Sequence, residues 1–177
     1  GEDEIIYSDG SEYAANIETA VSELINPPKE ELKEVELIHT PDCPTIESLA
    51  KYLDVPLEKT VKALTYKDMG TDEIYMVLIR GDFEVNEVKL KNILNAVEVE
   101  MATDEEIEKL GLKKGYIGPY KLPNKIKIVA DLSVPEISNH IVGSHQKDYH
   151  YKNINYGRDY TADIVADIRK VKVGENC

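Results

Sequence analysis

Apolar residues recur along this chain at two spacings, and the spacings predict its secondary structure. Apolar positions every three or four residues indicate helices, and strict alternation indicates strands. Thr45 stands where a helix N-cap is expected. Thr103 and Glu106 form a capping box, and the short helix that it opens is predicted to end near Gly111. The helical patterns cover residues 12–24, 45–53, 85–94 and 103–111.

Eight short apolar or alternating runs are predicted to be strands. They lie at residues 35–39, 61–66, 74–80, 97–101, 126–131, 140–142, 151–155 and 164–168. The second and third runs flank a turn at residues 69–72, which predicts a hairpin. Because strands and helices alternate irregularly, we expect a mixed α/β fold with a largely antiparallel sheet and surrounding helices.

Turn residues divide the chain into three parts. Pro27 and Pro28 end the first helical pattern, because proline cannot continue a helix. We therefore predict a flank with one helix and a linker over residues 1–34, a folded domain over 35–170 and a C-terminal flank over 171–177. A chain of this length can bury a core without a disulfide or a metal.

The charge is distributed unevenly. The 34 acidic and 21 basic residues give a net charge of −13, which argues against a broad surface for nucleic acid. Residues 1–36 hold eleven acids and two lysines, a net of −9, so the rest of the chain carries only −4. Residues 109–130 contain no acid and six lysines: Lys109, Lys113, Lys114, Lys121, Lys125 and Lys127. Such a run is more often a solvated loop than a binding site, although it leaves room for a small one.

Cysteine usage and hydropathy favour a cytoplasmic protein. Cys43 and Cys177 lie far apart in sequence and form no CxxC pair, which fits a reducing compartment. No apolar run approaches the roughly 18 residues that a membrane helix requires. The N-terminus is acidic, whereas a secretory signal is basic. We expect no membrane partner.

Motifs for several common chemistries are missing from the sequence. Residues 142–146 lack the second glycine of a hydrolase nucleophile elbow. His140, His145 and His150 are five residues apart, so one helix face cannot present them together to a metal. Neither glycine-rich phosphate-binding motif occurs. We therefore expect no metal in this domain and no ATP bound through these motifs.

Three polar features remain in predicted strands and loops. Lys62 lies on the polar side of a strand whose neighbours Val61 and Ala63 are apolar. Residues 115–119 form a loop with two glycines, whose backbone can approach a ligand and offer N–H groups to an oxyanion. His150 stands among several tyrosines. Taken singly, each is more often structural: an exposed lysine, a tight turn and a packed histidine.

Six ordered segments that include these features resemble one family over about residues 35–170. The segments are 39–41, 58–62, 77–89, the G-x-x-x-P loop 115–119, Ala130 with Asp131, and 148–159. Together they resemble the editing domain inserted into bacterial-type prolyl-tRNA synthetases and the free-standing YbaK-like aminoacyl-tRNA deacylases. The flanks at 3–20 and 166–169 resemble the synthetase segments on either side of that insertion. We therefore expect a piece of a longer synthetase with the fold of these editing domains.

The resemblance implies a function in proofreading. It implies hydrolysis of alanine wrongly attached to proline tRNA, with the acceptor end of that tRNA and the remaining synthetase domains as partners. It implies no cofactor for the editing domain, since ATP and Mg belong to the full-length proline-tRNA ligase. Alanine is smaller than proline, and each missing methylene gives only about 1–3 kcal/mol of discrimination, so a second site is needed to remove it.

The resemblance also assigns site residues. Lys62 is expected to place its charge near the terminal phosphate or the ester, which a point charge suits. Gly115 and Gly118 are expected to offer N–H groups, and His150 is expected to limit side-chain size. The expected substrate-binding residues are Thr40, Thr60, Pro119 and Asp131. No side-chain nucleophile is evident, so water is expected to attack directly, helped by the 2′-hydroxyl of the terminal ribose.

Two departures and two alternatives stand beside this interpretation. Leu132 occupies a position where relatives often have arginine, which leaves the charge environment of Asp131 open, and Tyr156 one where tryptophan is common. The alternatives are a free-standing deacylase for another small amino acid and a non-catalytic insert that binds tRNA or serves a structural role.

Overall fold

The computed structural model describes residues 28–171, so the predicted helix over 12–24 lies outside the described residues. Eight strands and three helices follow one another within this range. The strands are β1 Glu36–His39, β2 Val61–Asp68, β3 Ile74–Arg80, β4 Val99–Met101, β5 Lys127–Asp131, β6 His140–Gly143, β7 Tyr149–Ile154 and β8 Ile164–Ala166. The helices are α1 Ile46–Leu53, α2 Glu87–Leu94 and α3 Asp104–Lys109, with 3₁₀ turns at Leu57–Lys59 and Val134–Glu136.

The strands form two sheets. One has five strands in the order β4-β2-β3-β5-β8, in which β4, β2 and β3 are antiparallel and the β3–β5 and β5–β8 pairs are parallel. The other has three antiparallel strands in the order β1-β7-β6. The predicted mixed α/β class and the hairpin of β2 and β3 are therefore confirmed. The sequence pattern did not show that the strands divide between two sheets, because strand partners depend on distant residues.

The five-stranded sheet is buried on both faces. Alternating residues of β3 enter different clusters: Met76 and Leu78 pack with residues of β6 and β7, whereas Val77 and Ile79 pack with α2. This alternation follows from the two-residue period of a strand. The first cluster joins the two sheets, and a cavity lies at its border.

Local capping explains where the helices begin. Thr45 caps α1 with its side-chain oxygen accepting from the Ser48 N–H, and Thr103 and Glu106 form the predicted capping box of α3. The pattern over 85–94 extends too far at its start, because Asn86 caps α2 and the preceding Val85 pairs with Arg169 as an isolated bridge. Side chains at these N-caps satisfy N–H groups that the helix cannot.

Candidate active site

A cavity of about 430 Å³ opens beside the first half of β2. Its walls come from β2, the start of α1, α3, the loop after α3, and β6 and β7. Strand β4 pairs with β2 only from Tyr66 onward, so it does not cover residues 61–64. The cavity therefore occupies a place where the five-stranded sheet has an open edge.

Two glycines bring the loop 115–119 against the end of β6. A Cβ atom on Gly118 would overlap the carbonyl group of Gly143, and a Cβ on Gly143 would overlap the carbonyl group of Tyr116. Gly115 adopts φ +89°, a conformation that favours glycine. The backbone of the loop thus lies directly on the backbone of the strand, and only glycine permits that approach at both Gly118 and Gly143.

The same loop carries backbone N–H groups that are available to a ligand. The Tyr116 N–H donates to the Lys113 carbonyl, and the Tyr116 carbonyl accepts from the His145 N–H. Among the contacts within residues 28–171, the N–H groups of Gly115, Ile117 and Gly118 have no acceptor. Gly115 and Ile117 line the cavity, so the loop can direct donors toward a developing negative charge.

His150 lines the cavity next to this loop. Its Nδ1 lies 2.6 Å from the Thr40 hydroxyl, and its ring packs against Tyr116 with 5.4 Å between ring centroids. Burial lowers the pKa of His150 to about 4, so the ring is neutral at physiological pH. The structure therefore brings His150 and its neighbour Thr40 together with the glycine loop. A neutral, braced ring is suited to limiting the size of a bound group.

Lys62 lies at the cavity edge, but its ammonium is engaged elsewhere. Lys62 lies between Val61 and Ala63 on β2. Strand alternation therefore directs its side chain to the face of the sheet opposite theirs. There its Nζ lies 3.2 Å from a carboxylate oxygen of Glu84, an exposed residue. Lys62 is nevertheless one of the residues that line the cavity, and its stem is long and flexible.

Thr60 and Asp131 do not line the cavity. The Thr60 hydroxyl donates to the Leu57 carbonyl in a position closely covered by Gly81. Asp131 is buried and accepts from the N–H and hydroxyl of Ser133 and from the Ile168 N–H. These bonds give both residues a structural role, and their contacts with substrate stay predictions. Pro119 is buried at the end of the glycine loop and also lies outside the cavity lining.

Several residues that line the cavity were not singled out by the sequence. Gly143 lines the cavity and belongs to residues 142–146, which lack the second glycine of a hydrolase nucleophile elbow. The glycine itself was the only local indication that this segment is close to a site. Thr65 lies farther along β2, and Asp104 and Lys114 form an exposed ion pair of 3.2 Å at the rim. Lys114 belongs to the run of six lysines, all of which are exposed. Apart from this glycine and the lysine run, no local pattern could identify these residues, since the fold alone brings them together.

Neither a metal-binding cluster nor a membrane-spanning helix is found in the described part of the chain. Within residues 28–171, no three His, Cys, Asp or Glu side chains are grouped to hold a metal ion. Over the same range, no helix is both long and apolar enough to cross a membrane.

Comparison with known proteins bears directly on this arrangement. A family model described as the aminoacyl-tRNA editing domain matches residues 40–159. The full chain is 94% identical to part of a proline–tRNA ligase of Fusobacterium nucleatum subsp. nucleatum. It is 43% identical, over 99% of its length, to part of the proline–tRNA ligase of Bacillus subtilis. In each case the match covers 31% of the relative, so the chain spans about a third of the length of these curated proteins.

Solved structures show a shared fold. One, described as a candidate trans-editing enzyme for prolyl tRNA synthetase, has a TM-score of 0.64 at 16% identity and aligns over 77% of this chain and 87% of its own. Another, the hypothetical protein APE2540, has a TM-score of 0.65 at 22% identity and aligns over 77% of this chain and 92% of its own.

Proposed function

We propose that this chain, which belongs to the aminoacyl-tRNA editing domain family, removes alanine from proline tRNA by hydrolysis of the aminoacyl ester. The ligase names of the relatives support the choice of tRNA, since each relative contains a region similar to this chain. A ligase site that fits proline also admits alanine, because lost methylene contacts discriminate only weakly. A separate hydrolytic site is the chemical remedy.

The observation that carries this proposal is the glycine loop with its available N–H groups at the cavity. When water attacks the ester carbonyl, a C–O bond forms and negative charge develops on the carbonyl oxygen. Gly115 and Ile117 line the cavity, and in this proposal their N–H groups stabilise that charge. The ester C–O bond then breaks, the ribose oxygen takes a proton, and free alanine leaves with the water oxygen in its carboxylate.

The cavity lining is consistent with direct attack by water. Among its described residues there is no serine or cysteine that could form an acyl intermediate. Cys43 is buried, and its thiol lies 3.3 Å from the Pro41 carbonyl. The 2′-hydroxyl of the terminal ribose, adjacent to the ester, can help to orient the water.

Lys62 and His150 have distinct roles in the proposal. Lys62 exchanges Glu84 for the terminal phosphate or the developing charge, so substrate binding competes with an exposed ion pair. His150, neutral and held by Thr40, limits the space for the amino-acid side chain and thereby disfavours proline. The six exposed lysines beside the loop are suited to contacting nearby tRNA phosphates.

The wider setting follows from the same proposal. The domain acts within a cytoplasmic proline-tRNA ligase, whose other domains hold the body of the tRNA. The editing reaction requires no cofactor, since water and the loop amides supply its chemistry. Because the chain has a net charge of −13 and its lysines are concentrated near one loop, the isolated chain should bind tRNA weakly and in a salt-sensitive manner.

The decisive experiment measures deacylation of alanyl-tRNA and prolyl-tRNA for proline by this chain. We expect hydrolysis of the alanyl ester, little hydrolysis of the prolyl ester, and a loss of at least about 100-fold in kcat/KM for Lys62→Ala. Lys51→Ala, which removes an exposed lysine from the last turn of α1, is the matched control and should retain activity. An undiminished Lys62→Ala rate would exclude the proposed role of that lysine.

A panel of other charged tRNAs tests the alternatives. Preferential hydrolysis of a different small aminoacyl ester would indicate a deacylase with another specificity. Binding of tRNA without hydrolysis of any ester, even at high protein concentration, would indicate a non-catalytic module.

A further inference from the structure

A buried polar side chain of the cavity lining, that of Thr65, has no partner among the described residues. Thr65 is 1% exposed, and its hydroxyl has no hydrogen-bond partner among residues 28–171. Thr65 lines the cavity, and its hydroxyl oxygen is not among the unpartnered atoms of the described residues that are fully shielded from solvent. Strand alternation places its side chain on the same face as Val61 and Ala63, which belong to the cluster at the cavity border. A buried hydroxyl without a partner is costly unless a ligand or water satisfies it.

Thr65 lines the cavity beside Ala102, whose N–H donates to the Thr65 carbonyl. The start of β2 is adjacent to β6 through the Thr60–Ile141 bridge, and Gly143 of β6 pairs with His150. Ile141, Gly143 and His150 therefore line one part of the cavity, next to the glycine loop. Thr65 lies farther along β2, three residues or about 10 Å beyond Lys62. A nucleoside can therefore bind with its acylated ribose at the loop and its base beside Thr65.

The surroundings of Thr65 suit a flat heterocycle with a polar edge. Met101, Ala102 and Ile107 supply an apolar wall of the cavity at this end. The Thr65 carbonyl accepts from the Ala102 N–H, so the Ala63 carbonyl, two residues earlier, points toward the same edge. Strand β4 does not pair with β2 at Ala63. Apolar walls with a few well-placed polar groups are typical of sites for small ligands.

The geometry points to Thr65 as a binding residue for the base of the terminal adenosine. The hydroxyl donates to a ring nitrogen, and the Ala63 carbonyl accepts from the exocyclic amine. This assignment rests on the proposed function, since it takes the occupant to be an aminoacylated tRNA end. It gives two parts of the cavity lining different tasks, one for the ester and one for the base.

Binding of a stable analogue tests the assignment. The probe is 3′-deoxy-3′-(L-alanylamino)adenosine, whose amide resists hydrolysis, with alanine amide as a probe that has no base. We expect Thr65→Val, which keeps the shape but loses the hydroxyl, to raise the Kd for the adenosine probe about three- to tenfold. Thr65→Ser should bind nearly as wild type, and neither change should alter binding of alanine amide. The inosine form of the probe, which lacks the exocyclic amine, should bind wild type more weakly.

Kinetics and a control separate the possible failures. For alanyl-tRNA, Thr65→Val should raise KM by the same factor and leave kcat unchanged, and Thr161→Val on the surface should change neither. Equal Kd values for wild type and Thr65→Val would overturn the assignment, as would an equal loss in Thr65→Ser. If either result is found while the wild type still hydrolyses alanyl-tRNA, only the role of Thr65 is contradicted and the proposed function is retained. A wild type that hydrolyses no ester contradicts the proposed function itself.

Discussion

His140 and His150 stand on neighbouring strands of one sheet, and burial lowers the pKa of each to about 4. Their surroundings differ in hydrogen bonding. His140 uses both ring nitrogens, one 2.9 Å from the Ile137 carbonyl and one 2.9 Å from the Tyr160 hydroxyl. His150 uses only Nδ1 among the described contacts, and its ring borders the cavity. A lowered pKa alone therefore does not distinguish a structural histidine from one at a site.

The same contrast extends to the polar groups around each histidine. Near His140, Asn139 and Asn155 bond to one another, and Lys59 contacts both Glu30 and the Ser138 carbonyl. Around the cavity, Lys62 has a single exposed partner, and Thr65 and the loop amides have none within residues 28–171. Polar groups whose hydrogen bonds are all made within the protein stabilise the fold, whereas those at a cavity that lack partners are available to a ligand.

The largest expected effect concerns stability. His140→Ala should lower the free energy of unfolding by about 3 kcal/mol, because it leaves a cavity and unpairs the buried Tyr160 hydroxyl. His150→Ala should cost about 1 kcal/mol, because its site already opens to the cavity and water can replace the ring. Urea denaturation of both variants measures the difference. Equal losses would contradict the distinction between the two histidines.

A second effect is the dependence of stability on pH. Each histidine is neutral in the folded chain down to about pH 4, whereas in the unfolded chain it gains a proton near pH 6.5. The unfolded state therefore binds more protons in this window, and stability is lost as the pH falls from about 6.5 toward 4.

Histidine variants isolate that effect. Between pH 5 and 6.5 most carboxylates stay ionised, so the slope of unfolding free energy against pH reports mainly on histidine. His150→Gln should flatten the slope, and His140→Gln should flatten it similarly if the variant remains folded. A slope unchanged by His150→Gln would mean that this ring is protonated in the folded state. Chemical denaturation at three pH values provides the measurement.

The sequence predicted those features that depend on neighbours in the chain. The Thr45 cap, the Thr103 capping box and the β2–β3 hairpin each arise from a few adjacent residues, and the structure contains all of them. The strand over 97–101 was predicted two residues too long at its start, since Val97 is exposed and β4 begins at Val99.

Features of the site that depend on distant residues were less accessible. The resemblance placed Lys62, Gly115 and His150 in one site, and the structure brings them to one cavity. It could not show that Glu84 holds the lysine or that Gly143 supports the loop, because these contacts join separate segments. Thr65 carried no local signal, since a threonine in a strand is usually only a good strand former.

The smallest expected effect compares two lysines that occupy the two regions. Glu84→Gln removes the charge that engages the Lys62 ammonium. Glu30→Gln removes one partner of Lys59, which keeps its bond to the Ser138 carbonyl. Exposed ion pairs are weak, so Glu84→Gln should raise kcat/KM for alanyl-tRNA only about twofold. The gain should shrink at high salt, where screening already weakens the pair. Glu30→Gln should leave the rate unchanged, because Lys59 does not line the cavity. A fall in rate for Glu84→Gln would show that the ion pair positions Lys62 for the reaction, so that the lysine acts from its observed place and not after release.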